Sequence, residues 1–353
     1  MEKQNLNKQI NETMLAMAKE PKNVELYHKL SELYLELQDY DKVMSVLDSL
    51  LAIAPDDVRA LVGMGTMWFY EKDFRKSLSY YNKALQINPK NYLIYYNIGN
   101  VFAEWKNFPK ALFYYNRAID LNSMNPEIYN AIALLYNDNE DYIESKAYYE
   151  KALSLDPMNL TALVDMGNVC FKLFDYETAL ELYKRVFALN IDNKVVAICI
   201  GNTYTLMKKR EEAYSYFEKA LKMEGDNYRA YICYAISLSE FGENDMAIEM
   251  YKKAIEIFPK QPNAYQLLGN LYTNLGRIEE GMDEYKKVLH FAQNDAQTYV
   301  LLGNAHYLNN EIEKAIGSYK AAIDIQPEND EFKLIYYQIM DEYIDTKRKE
   351  MEA

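Results

Sequence analysis

Apolar and polar positions repeat along this chain with a fixed period of 34 residues from Val24 to Asn329. Nine frames of that length tile residues 24–329 without an insertion or deletion. We number the places of the frame from Val24. Places 4, 7, 8 and 11 are apolar or small and share one face of a helix by the i, i+3, i+4, i+7 rule, which predicts a helix A. Places 20, 21, 24, 27 and 28 form a second such stripe and predict a helix B. The few residues between the stripes make a tight turn. Proline at place 32 (Pro55, Pro89, Pro157, Pro259 and Pro327) stops helix B. Each frame is therefore an antiparallel helix pair. One inserted residue would rotate the rest of its helix by about 100°, so the unbroken register predicts a similar angle between successive pairs and a regular superhelix.

Place 8 is always small: Ser31, Gly65, Gly99, Ala133, Gly167, Gly201, Ala235, Gly269 and Gly303. Glycine inside a helix costs about 1 kcal/mol relative to alanine, so its recurrence asks for a compensating contact. Place 24 holds Tyr81, Tyr115, Tyr149, Tyr183, Phe217, Tyr251, Tyr285 and Tyr319 after Leu47 in the first frame, and place 27 is small in most frames. Small residues at places 8, 20 and 27 let helices approach closely, with the aromatics at place 24 filling the space beside them. A single pair cannot bury its apolar face; stacked neighbours can, and the ends of the stack then need polar caps. Residues 330–349 fit a capping helix with Phe332, Ile335, Ile339 and Tyr343 on one stripe. Residues 4–19 fit a lone helix B, with Ala16 and Pro21 in phase with places 27 and 32. The expected division is an N-terminal cap over 1–23, nine repeats over 24–329, and a C-terminal capping helix and tail over 330–353.

Composition narrows the function classes. The chain has 353 residues, half of them hydrophobic, 34 of them tyrosine, and a formal charge of −14. That apolar content argues against disorder, and the scarcity of glycine and proline argues against a β-sandwich. The acidic balance argues against nucleic acid, whose phosphates need a basic face. Cys170, Cys199 and Cys233 contain no CxxC pair, and His28, His290 and His306 are scattered. No metal and no cofactor is expected, and the thiols read as reduced and buried. No apolar run reaches the roughly 18 residues of a membrane span, and the N-terminal stretch lacks the apolar core of a signal peptide. A cytoplasmic chain without membrane contact is the expectation.

The stretch Tyr95-Tyr96-Asn97-Ile98-Gly99-Asn100-Val101-Phe102, continued by Ala111, Tyr115 and Ala118, resembles the tetratricopeptide repeat. The likeness covers 306 of 353 residues and recurs nine times. It departs at Ser123, Ile191, Gly225 and Gln293, where that family prefers proline, and at His306, where it prefers an aromatic. The resemblance implies an all-α, right-handed α-solenoid superhelix of antiparallel helix pairs. It also implies a groove lined mainly by helix A, through places 2, 5, 9, 12 and 13, that grips an extended peptide or a partner's helix.

Place 9 carries Asn100, Asn168, Asn202, Asn270 and Asn304. An amide offers an acceptor and a donor, so these residues can form a ladder that meets both groups of a peptide backbone. They can equally be the family's average residue at this place. Place 5 adds Tyr96 and several aliphatics, which are either an open apolar stripe or buried against the next helix. Phe69, Phe171 and Tyr307 at place 12 are the better contact candidates. Glu25, Glu32, Glu36, Glu104, Glu127 and Asp138 make the N-terminal half of the face acidic against Arg59, while Lys172, Arg229 and Glu240 leave the other half nearly neutral. Places 5 and 9 hold no lysine or arginine, which argues against the chaperone C-terminal tails that one subgroup of the family binds. The expected partner is a protein or peptide, extended and neutral or basic. No phosphate loop, H-E-x-x-H helix or G-x-S-x-G elbow is present, and a non-enzymatic interaction scaffold leads. A regulatory or targeting subunit of an enzyme on another chain, and a self-associating structural protein, remain the alternatives.

Overall fold

The structure, a computed structural model, describes residues 2–189, 193–223 and 225–352, and among them it is helical with no strand. Helix α1 (Glu2–Lys19) precedes the repeats. The A helices are α2 (Val24–Glu36), α4 (Val58–Tyr70), α6 (Tyr92–Glu104), α8 (Pro126–Asp138), α10 (Leu160–Lys172), α12 (Lys194–Leu206), α14 (Tyr228–Glu240), α16 (Pro262–Asn274) and α18 (Ala296–Leu308). The B helices are α3 (Tyr40–Ile53), α5 (Phe74–Ile87), α7 (Phe108–Leu121), α9 (Tyr142–Leu155), α11 (Tyr176–Leu189), α13 (Arg210–Lys222), α15 (Asn244–Ile257), α17 (Ile278–Phe291) and α19 (Ile312–Ile325), and α20 (Asp330–Glu352) follows. Every A helix begins at place 1 and every B helix at place 17. Consecutive helices form antiparallel pairs, so the chain is an all-α solenoid. It separates into two compact units, Met1–Ala179 and Leu180–Ala353.

Local chemistry sets the helix ends. Place 34 is Asp or Asn in most frames, and its side chain accepts an early backbone N–H of the following A helix, as Asp57 does from Ala60 at 2.7 Å and Asn125 from Glu127 at 2.8 Å. Place 16 does the same for helix B in the first five frames, through Asp39, Asp73, Asn107, Asp141 and Asp175. Between them place 15 is left-handed in all nine frames, from Gln38 (φ 58°) to Asn310 (φ 58°). Only Gly242 and Gly276 suit that conformation without a Cβ penalty. The backbone closes the turn regardless: the N–H of place 16 reaches the carbonyl of place 11, for example Asp39 to Tyr34 at 3.0 Å. Of the departures at place 32, Gly225 takes φ 92° after an α13 one residue shorter than its counterparts, and Ile191 lies outside the described residues.

The helix pair is held by the ring at place 24 lying on the helix A backbone. A Cβ added to Gly99 would sit 2.5 Å from the ring of Tyr115; the distances are 2.6 Å for Gly65 and Tyr81, 2.8 Å for Gly201 and Phe217, 2.5 Å for Gly269 and Tyr285, and 2.7 Å for Gly303 and Tyr319. These rings are buried, and burial pushes the Tyr81 phenol up to about 12. Place 20 approaches the same backbone. Ser77 and Ser145 donate to the carbonyls of Gly65 and Ala133 at 2.7 Å, and a Cβ on Gly281 would meet the Gly269 carbonyl oxygen at 2.8 Å.

Two further places of helix A are core. Place 10 is buried in every frame and place 3 in frames 2–9, as with Ile94 and Val101. Helix A therefore buries a wider arc than the stripe of places 4, 7, 8 and 11, because it faces both its own helix B and the neighbouring frame. At the ends, Ile10 of α1 joins the core around Leu30 and Leu33, and Phe332 of α20 joins that around Tyr319 and Ala322, with Ile335 and Ile339 against it. His306, the departure at place 11, sets its Nδ1 2.6 Å from Glu311, which also takes Lys314 at 2.7 Å. Lys314 and His306 together hold the Glu311 carboxyl down at about 2.

Gly99→Leu should lose about 1–3 kcal/mol by forcing the Tyr115 ring off the backbone. Gly317→Ala, where an added Cβ meets nothing within 4 Å, should gain about 0.4–1 kcal/mol; thermal melts of the two variants must move in opposite directions. Because the Glu311 pKa is depressed on folding, its contribution is present above its ordinary 4.5 and is lost as pH falls toward 2. An acid titration followed by circular dichroism should show Glu311→Gln losing less stability than the parent across that window.

A candidate peptide face on the A helices

The exposed arc of helix A is what the core leaves over. Place 9 lies one step around from the buried place 8, and none of its nine residues is buried. Asn168 and Asn304 are exposed, while Asn100, Asn202 and Asn270 are half-buried. Three of these amides have their oxygen engaged within the fold. The hydroxyls of Tyr115, Tyr285 and Tyr319 donate to Asn100, Asn270 and Asn304 Oδ1 at 2.8, 2.6 and 2.7 Å. Burial keeps these phenols neutral at ordinary pH. In the frame where place 24 is Phe217, Asn202 instead donates to Cys233 Sγ at 3.8 Å. An asparagine at place 9 is thus first the partner of a buried tyrosine, and in those three frames its oxygen already accepts that hydroxyl.

Place 5 divides by frame. Ile198, Ile232 and Val300 are buried and leave the open face. His28 and Gln266 reach the cap of the next A helix, His28 Nε2 lying 3.2 Å from Asp57 Oδ2 and Gln266 donating to Thr298 Oγ1 at 2.8 Å. Place 5 is in these frames a contact between repeats. Tyr96 stays half-buried, its ring 5.9 Å from that of Tyr115. Phe69 meets Phe74 and Tyr70, and Phe171 takes the edge of Tyr176. Tyr307 donates to Glu342 of α20 at 3.0 Å, so the capping helix occupies that residue's hydroxyl.

In the first unit, Phe69, Tyr96 and Asn100 share one cavity of about 430 Å³ that crosses α4, α6, α8 and α10. Asn270 and Asn304 line a second, of about 330 Å³, in the other unit. In the first unit Arg59 is spent on acidic neighbours, at 3.3 Å from Glu25 and 3.2 Å from Glu32. Cys199 and Cys233 are partly buried, and burial raises both thiols. No His, Cys, Asp and Glu cluster able to hold a metal occurs among the described residues, and no described helix is long and apolar enough to cross a membrane.

Models of the tetratricopeptide repeat match residues 12–64, 58–91, 92–125, 126–192, 200–227, 238–304 and 296–329. The chain belongs to the tetratricopeptide repeat family. Among solved structures it is similar to a tetratricopeptide repeat protein from Parabacteroides merdae, with 21% identity, a TM-score of 0.58, and coverage of 70% of this chain and 98% of the other. It is also similar to PilF of Pseudomonas aeruginosa, with 17% identity, a TM-score of 0.51, and coverage of 60% and 97%. At these identities the likeness establishes the fold. No curated protein matches the sequence.

Asn100→Ala strips a buried phenol of its acceptor and should cost about 0.5–1.5 kcal/mol. Tyr115→Phe in the same background should add little further loss, because the two changes remove one bond. A double-mutant cycle by chemical denaturation checks the coupling.

Proposed function

We propose that this tetratricopeptide repeat chain is an interaction scaffold that holds an extended, neutral or basic segment of a partner protein against its A helices. The observation that carries the reading is the continuous cavity in the first unit. It crosses four successive A helices and is lined by aromatic rings, amides and carboxylates. An extended peptide suits such a surface, because amides on successive helices meet successive backbone groups while ring pockets take side chains. Negative charge disfavours acidic segments and steers basic ones. In the same unit Asn168 supplies a polar contact beyond the cavity and Phe171 an apolar one, while Phe69 lines the cavity itself. The ladder in this reading meets peptide carbonyls through amide N–H groups and peptide N–H groups through amide oxygens.

A second reading, self-association through the end of the stack, rests on α20. Its outer side exposes Leu334, Tyr337 and Ile344 opposite the buried Phe332. Light scattering at rising concentration should give a constant monomer mass if the scaffold reading is right.

The scaffold reading is tested by cross-linking in the native cell followed by mass spectrometry. Cross-links to one partner segment should map to helix A, and Phe69→Ala combined with Phe171→Ala should abolish them. Lys252→Glu with Lys253→Glu, on helix B, should leave them intact. Cross-links that survive the first variant and vanish with the second would place the partner on the other face and sink the reading.

A further inference from the structure

Departures from the repeat gather at one point. Place 5 is polar in three frames, and in two of them, at His28 and Gln266, it is satisfied by the next cap. In the third, Asn130, the amide oxygen is buried with no donor. Place 9 of the same frame is Leu134 instead of asparagine, so the buried Tyr149 lacks the acceptor that Tyr115 finds in Asn100. Place 6 of the next frame is Asp165, the sole carboxylate at that place in the nine repeats. Asn130, Leu134, Tyr149 and Asp165 all line the 430 Å³ cavity.

The charges there do not balance. Glu104, Glu127, Asp138 and Asp165 face the cavity with Lys106 as its one cation, and Lys106 is paired with Asp138 at 3.6 Å. Among the described residues Asp165 makes neither an ion pair nor a hydrogen bond, and burial raises its carboxyl. A half-buried carboxylate without a cation is costly, and so is a buried amide oxygen without a donor. The unmet acceptors are the Asn130 oxygen and the Asp165 carboxylate, in the cavity that the rings of Phe69 and Tyr96 and the Tyr149 hydroxyl also line.

We propose that this cavity receives the guanidinium or ammonium of a single arginine or lysine side chain from the extended partner, anchored on Asp165 and Asn130. A cation supplies the N–H donors and the charge that the site lacks, and aromatic walls favour it further. The inference rests on the peptide-scaffold reading and adds the chemistry of one anchor position.

The test uses the full chain and a library of short, acetylated and amidated peptides randomised at every position. Peptides retained by the parent should be enriched in arginine or lysine at one register position. Asp165→Asn should reduce that enrichment about tenfold or more while still retaining other peptides. Removing an unpaired buried charge should also leave its melting temperature at or above the parent's. Glu127→Gln, on the exposed rim, provides a second variant with no packing role and should reduce the enrichment in the same direction. Peptides retained by the parent without any basic preference, or an equal preference in both variants, would overturn the anchor and leave the scaffold reading standing. A parent that retains no peptide would overturn both.

Discussion

The structure depends on one contact, the ring at place 24 lying on the bare backbone of place 8. Helices with side chains between them ordinarily sit 8–10 Å apart. Removing the Cβ at Gly65, Gly99, Gly201, Gly269 and Gly303 lets a full aromatic face occupy its position, 2.5–2.8 Å from where that carbon would be. The helix propensity lost at each glycine, about 1 kcal/mol, is smaller than the roughly 1.5–3 kcal/mol gained by burying a large side chain. Each of these five pairs is fixed in this way within its own frame.

The same contact shapes the surface. A tyrosine seated on place 8 carries its hydroxyl past the helix, where it needs an acceptor. Place 9 supplies one in Asn100, Asn270 and Asn304. Core and candidate binding face thereby share residues, and a change at place 9 is felt in both. Where Leu134 replaces that asparagine, Tyr149 loses its acceptor, and the same cavity holds the unpaired Asn130 oxygen. A solenoid can carry such a defect because its stability is distributed over neighbouring frames.

Much of the architecture was legible in advance. The helix pair of each frame, the small place 8 and the aromatic place 24 followed from periodicity, since amphipathic spacing reports directly which side of a helix is covered. Places 3 and 10 were missed. Their burial comes from the neighbouring frame, and a pattern read one helix at a time does not include a second covering surface. The left-handed residue at place 15 was missed as well, because Gln38, Lys72 and Phe174 are not glycines and the turn is imposed by the closing hydrogen bonds. The alternating Asp and Asn at places 16 and 34 were a readable signal for the caps that close each helix.

The site was less legible for a related reason. Ile198, Ile232 and Val300 share place 5 with Tyr96, yet the first three are buried and Tyr96 borders a cavity. Side-chain exposure at that place differs from frame to frame. By itself, the sequence determined the number, length and pairing of the repeats, because those follow from local spacing. Tertiary structure alone decided which amides are spent on tyrosine hydroxyls and which carboxylate is left unpaired, because both depend on partners brought together from different helices.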